Sequence, residues 1–141
     1  MVNIFFEDTE ILDLDPEFFV SWLSEVVSRE TLELGELNLI FCSDSYLLKI
    51  NQDHLKHDYY TDIITFDYRV GNYVSGDLFI SVDMLKFNSN NEGVSFLNEL
   101  YRVVVHGVLH ICGYGDKSDD DKKVMTNKEN EALALIVSRE T

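Results

Sequence analysis

Short apolar runs and amphipathic stretches succeed one another along the chain. Residues 2–6 (VNIFF) and 34–42 (LGELNLIFC) each predict a strand. Between them, Phe18, Phe19, Trp22, Leu23, Val26 and Val27 recur at helical spacing and form one apolar stripe. Asp15-Pro16-Glu17 opens that helix: Asp15 caps it, Pro16 suits the first turn and Glu17 complements the helix dipole. Ser43 or Asp44 then caps a short helix over SYLLKINQDHL (45–55). Residues 57–70 begin as a loop and become a strand from about Thr61. Gly71-Asn72 is a turn signal, so residues 73–82 predict a strand pairing back as a hairpin. A helix from about Asp83 follows, and SNNEG (89–93) reads as a loop. Val94 or Ser95 starts FLNELYRVVVHGVLHIC, which is hydrophobic on nearly every side and predicts the central buried helix, with Gly113 ending it. KSDDDKK (117–123) reads as a charged loop before a last helix, with Val124, Met125, Leu133, Ile136 and Val137 as its apolar face.

No internal repeat, low-complexity tract or linker interrupts the chain. Its 141 residues suit one domain over 1–141 with a sizeable core. No apolar run of about 18 residues is present to span a membrane. The acidic start MVNIFFEDTEILDLD lacks the basic opening of a signal peptide. With only Cys42 and Cys112, a disulfide framework is not expected, and the cytoplasm is the simpler location. Net charge is −15, and Arg29 is the only basic residue before Lys49. Such a surface repels nucleic acid at long range. Any nucleic-acid reading would therefore need a local basic strip or a bound cation; the plainer reading of the charge is solubility.

HGVLHICGYGD (106–116) carries the candidate chemistry. His106 and His110 stand one helical turn apart, so both imidazoles share a face and can share a metal ion. A catalytic zinc usually takes three protein ligands and leaves one position open. The chain turns after Cys112, and Asp116 is the first carboxylate to return; Asp119, Asp120 and Asp121 compete for the role. Cys112 is chemically able but points away from His110 on a helix. Metallopeptidases with an H-E-x-x-H helix place a glutamate base after the first histidine, and here that residue is Gly107. Glu99, seven residues before His106, lies on the same helical face and is either a support for an imidazole or a surface glutamate.

These residues resemble the YbeY family of bacterial ribosomal-RNA maturation endoribonucleases, whose signature is H-G-x-L-H-L-x-G-Y-D-H with a methionine nine residues beyond. His106, Gly107, Leu109, His110, Gly113, Tyr114 and Met125 match it. IN at 50–51, TDIITF at 61–66 and GDLFIS at 76–81 resemble the family's upstream blocks, so the likeness runs from about residue 37 to 133. The resemblance implies an α/β (α+β) fold, with a mixed, mostly parallel sheet of about four strands packed on the central helix. It places the metal at that helix's C-terminal end, in a cleft beside the 76–81 strand. Two departures stand out. The family's third metal-binding histidine falls on Asp116, making the implied metal set His106, His110 and Asp116. The family's loop arginine falls on Leu55, leaving Lys56 and His57 as the nearest cationic candidates for substrate binding.

The function so implied is metal-dependent, single-strand-specific RNA cleavage in ribosomal RNA processing (small-subunit 3′-end maturation) and ribosome quality control. Zn²⁺, or another divalent ion, would be the cofactor and a water it binds the nucleophile. Ribosomal RNA and ribosome or small-subunit proteins would be the partners, with no membrane. Lys49, Lys56, Arg69 and Lys86 are the basic residues available for a local groove. Two rivals remain at this point: a non-catalytic ribosome-assembly or RNA-binding factor with a structural metal, and another metal-dependent hydrolase such as a peptidase.

Overall fold

The computed structural model describes residues 1–56 and 61–140. Its elements follow the order β1 (Val2–Phe6), α1 (Pro16–Ser28), β2 (Glu33–Cys42), α2 (Asp44–Leu55), β3 (Ile63–Asp67), β4 (Tyr73–Ser81), α3 (Val82–Glu92), α4 (Phe96–Cys112) and α5 (Asp119–Glu140). The four strands form one sheet in the order β1-β2-β4-β3. β1, β2 and β4 run parallel, and β3 pairs antiparallel to β4. The sheet is thus mixed and mostly parallel, as the resemblance implies.

Helix starts follow local chemistry. The side chains of Asp15, Ser43, Ser81 and Ser95 each accept a hydrogen bond from a first-turn backbone N–H of α1, α2, α3 and α4 respectively. Gly113 ends α4 in the left-handed region, with φ 117°.

Two predicted loops are helical instead. SNNEG belongs to α3 as far as Glu92, because buried Ser89 donates to the Lys86 carbonyl and Gly93 supplies the left-handed cap one turn later than expected. The acidic run at 119–121 is the first turn of α5, where carboxylates meet the positive end of the helix dipole. The Asp121 N–H donates to the Ser118 hydroxyl at 3.0 Å and fixes that start. The inward face of α5 is Met125, Glu129, Ala132 and Ile136, whereas Val124 is exposed; the side chain of Val137 lies outside the described residues.

The core lies between one sheet face and α1, α4 and α5. Phe19, Trp22 and Leu23 of α1 meet Leu37, Leu39, Leu78 and Ile80 of the sheet and Val104, Val105 and Val108 of α4. The Trp22 indole N–H donates to the Ala132 carbonyl at 2.9 Å, tying α1 to α5. A smaller cluster of Cys42, Leu47 and Ile64 holds α2 on the opposite sheet face. Along β3, odd and even residues therefore serve different surroundings: Ile63 faces α4, and Ile64 and Phe66 face α2. Among the described residues no helix is long and apolar enough to cross a membrane. Both cysteines are free.

Candidate metal centre

α4 is buried over most of its length, but His106 and His110 retain 23% and 33% side-chain exposure. They open onto a cleft of about 460 Å³ whose walls include Asn51 and Leu55 of α2, Asp62 and Thr65 at β3, and Asp116. α4 lies close to the sheet at Gly107, where a Cβ would stand 2.8 Å from Ile63 Cδ1 and 3.0 Å from Leu78 Cδ2. The position that carries the base in H-E-x-x-H enzymes is here a close packing contact between α4 and the sheet. The cleft is walled by β3, not by the 76–81 strand expected to flank it. β4 is an interior strand whose Leu78 lies under α4, while β3 is an edge strand.

The two imidazoles stand nearly perpendicular, 88° apart, with ring centroids at 4.9 Å. Asp116 Oδ2 lies 3.5 Å from His106 Nε2 and 3.5 Å from His110 Nε2. These separations are long for hydrogen bonds. A tetrahedral ion with bonds of about 2.0–2.1 Å spaces its ligands roughly 3.3 Å apart, so the donor set matches a shared divalent cation. One potential ligand atom from each of the three residues lies within 4.8 Å of the others, and no further group of this kind occurs among the described residues. Of the competing carboxylates, Asp119, Asp120 and Asp121 belong to α5, and Asp116 is the one grouped with the two histidines. Cys112 is not in the cluster.

The loop carrying Asp116 is held from outside the cleft. The Tyr114 hydroxyl donates to Glu30 Oε1 at 2.5 Å, and Lys128 bonds the other Glu30 oxygen at 3.2 Å while lying over the Tyr114 ring. The Tyr114 N–H donates to the Leu109 carbonyl as the loop leaves α4.

The support for His106 comes from α5, not from Glu99. Glu129 Oε2 lies 2.7 Å from His106 Nδ1. Glu129 Oε1 accepts from Arg102 at 3.0 Å, and the same guanidinium donates to Asn130 Oδ1 at 2.8 Å. A carboxylate on Nδ1 fixes the tautomer that presents the Nε2 lone pair to the Asp116 side. Burial by itself lowers the His106 pKa, but the bond to Glu129 and its charge raise it above the ordinary value. Glu99 is buried rather than superficial, no bond joins it to His106 among the described residues, and burial raises its carboxyl pKa. Asp62 was also missed. Burial raises its pKa too, with His106 opposing. Glu129 lies in the buried stripe at 125, 129, 132 and 136, where a glutamate requires a partner.

Two of the four basic residues available for a groove, Arg69 and Lys86, are engaged elsewhere. Arg69 donates to the carbonyls of Gly71, Ile111 and Cys112, satisfying the end of α4. Lys86 pairs with Glu10 at 2.7 Å. Lys56 is exposed at the end of α2, outside the described cleft walls, whereas Leu55, at the resemblance's arginine position, is one of those walls. His57 lies outside the described residues.

The family model described as endoribonuclease YbeY matches residues 4–136. The chain belongs to this family. An endoribonuclease YbeY of Flavobacterium johnsoniae is 50% identical over 136 residues, covering 96% of this chain and 97% of that protein. One from Bacteroides thetaiotaomicron is 43% identical over 129 residues, covering 92% and 94%. A solution structure from Thermotoga maritima superposes with a TM-score of 0.67 at 26% identity, over 94% of this chain and 87% of that one. Within the YbeY frame, this chain presents two imidazoles and a carboxylate as the set that can hold a divalent ion.

Proposed function

We propose that residues 1–141 act as one YbeY-like hydrolase domain that cleaves single-stranded RNA in ribosomal RNA processing, with His106, His110 and Asp116 holding Zn²⁺. The observation that carries this reading is the convergence of those three donors at the mouth of an open cleft. When bound there, such an ion supplies Lewis acidity for a phosphoryl oxygen and lowers the pKa of water. The chain's own residues do the positioning. Arg102 neutralises Glu129, Glu129 orients His106, and Tyr114 with Glu30 holds the loop that brings Asp116 round. Asp62 lies in the cleft wall, where burial raises its carboxyl pKa and His106 opposes that rise. Asp116 in place of a third histidine makes the site one charge less positive and permits divalent ions other than zinc. Ribosomal RNA and small-subunit components are the partners in this reading, with Lys56 and His57 as candidate phosphate contacts.

A second reading is a non-catalytic RNA-binding assembly factor. It is favoured by the net charge of −15 and by Leu55, rather than a guanidinium, in the cleft wall. RNA cleavage measured with and without chelator, for wild type and His110→Ala, separates the two. The nuclease reading expects cleavage only in untreated wild type. Cleavage that persists with chelator and in the variant would exclude it, and binding without cleavage would favour the assembly factor.

A further inference from the structure

Among the described residues, the sheet face opposite α4 is covered only in part. α2 packs over β3 and β4 through Leu47 and its neighbours. Beyond it, one register row runs Asn3, Asn38, Asp77, Phe66 across all four strands. Asn3 Nδ2 donates to Asn38 Oδ1 at 2.9 Å, and Asn38 Nδ2 donates to Asp77 Oδ1 at 2.9 Å. Large rings stand around this polar row: Phe5, Tyr68 and Tyr73 are 48%, 56% and 54% exposed. A cavity of about 330 Å³ is formed here by Tyr46 and His54 of α2, Phe66 and Tyr68, and Asp77 and Phe79 of β4. Phe66 is braced edge to face by Phe79 and His54, at 5.7 and 6.3 Å between centroids.

This cavity and the metal cleft adjoin across β3 and the end of α2. Ile63, Ile64, Thr65 and Asp67 of β3 line the cleft with Leu55, while Phe66 and Tyr68 line the cavity with His54. β3 is an edge strand, so an extended strand of nucleic acid can pass round it and occupy both. The charge balance says what such a strand would hold on with. Among the described residues no lysine or arginine lines the cleft, and net charge is −15. Affinity drawn from phosphates is therefore weak, and bases must supply it. Open sheet faces that display aromatic rings beside hydrogen-bonding groups bind unpaired bases in this way.

We propose that this open face is a stacking subsite for an unpaired base of the RNA strand whose phosphodiester lies in the cleft. Tyr68 is its exposed ring, and Asp77 accepts from the base's ring or amino N–H. The inference rests on the nuclease reading for the identity of the strand. Asp77 keeps one oxygen on Asn38 and has a second for the base, which favours bases that present donors.

The test is equilibrium binding of a short single-stranded RNA containing 2-aminopurine, in chelator so that no cleavage intervenes, with RNA cleavage by wild type measured separately. Stacking quenches the 2-aminopurine on wild type. Tyr68→Ala should weaken binding about tenfold and abolish the quench, while Tyr68→Phe should retain both. Asp77→Asn should shift the preference among bases. Binding by Tyr68→Ala within about twofold of wild type, with the quench intact, would overturn the subsite even if the protein cleaves RNA. Equal loss of double-stranded RNA binding would also overturn it. Quenching lost only in Tyr68→Ala, on a protein that cleaves nothing, would keep the subsite and remove the nuclease.

Discussion

Glu129 Oε2 lies 2.7 Å from His106 Nδ1, and this contact joins the last helix to the candidate metal centre. Glu129 is nearly buried, and its other oxygen is held by Arg102, so its orientation is set before any ion arrives. Outer carboxylates of this kind typically contribute 10–100-fold in metal affinity. Glu129→Ala should weaken binding of a divalent ion by about that factor, read by competition with a chelating dye. Glu129→Gln, which keeps the shape, should fall between the two.

The same contact gives the metal-free protein a pH dependence. The His106 pKa is raised in the folded state from 6.5. The stabilisation by Glu129 is therefore complete below the unfolded value and is lost as pH rises through the higher folded value. Metal-free wild type should lose stability relative to Glu129→Gln as pH rises above the ordinary histidine value of 6.5 in denaturant titrations. Added divalent ion should oppose that trend, because it competes with the proton on the imidazole.

β3 keeps its place as the cleft wall because Gly76 has no side chain. A Cβ there would stand 2.4 Å from the Phe66 carbonyl oxygen and 2.8 Å from Ile111 Cδ1. The first neighbour is backbone and cannot rotate away. Gly76→Ala should cost about 1–3 kcal/mol or more, seen as a lower denaturation midpoint. The cleft should be disturbed as well, since Gly76 pairs with Asp67 of β3.

Much of this was legible in the residues. The strands, the capped start of α1, the buried α4 and the His106/His110 pair follow from periodicity and spacing that tertiary packing did not override. The turn at Gly113 left Asp116 in competition with Asp119, Asp120 and Asp121, and only the family resemblance singled it out. What was missed depended on contacts between distant segments. Glu129 reads as one more acidic residue in a charged helix until α5 is docked on α4. Arg69 and Lys86 read as free cations until the end of α4 and Glu10 take them. The helical run through Glu92 was hidden by an asparagine-rich sequence of low helix propensity, rescued by burial of Leu85 and Ser89.

The cysteines should be chemically quiet. Burial first, then neighbouring carboxylates, push the Cys42 thiol up to about 12. Burial chiefly pushes the Cys112 thiol up to about 11. Little thiolate exists at neutral pH, so iodoacetamide should label the native protein slowly and the denatured protein fast.

The central claim is a divalent ion held by His106, His110 and Asp116. It is tested most directly by elemental analysis of purified protein, comparing wild type with His110→Ala and Asp116→Ala variants that melt like it. The account predicts about one divalent ion per chain in wild type, near none in His110→Ala and a reduced share in Asp116→Ala. Equal metal content in all three, or none in wild type after incubation with zinc, would contradict it.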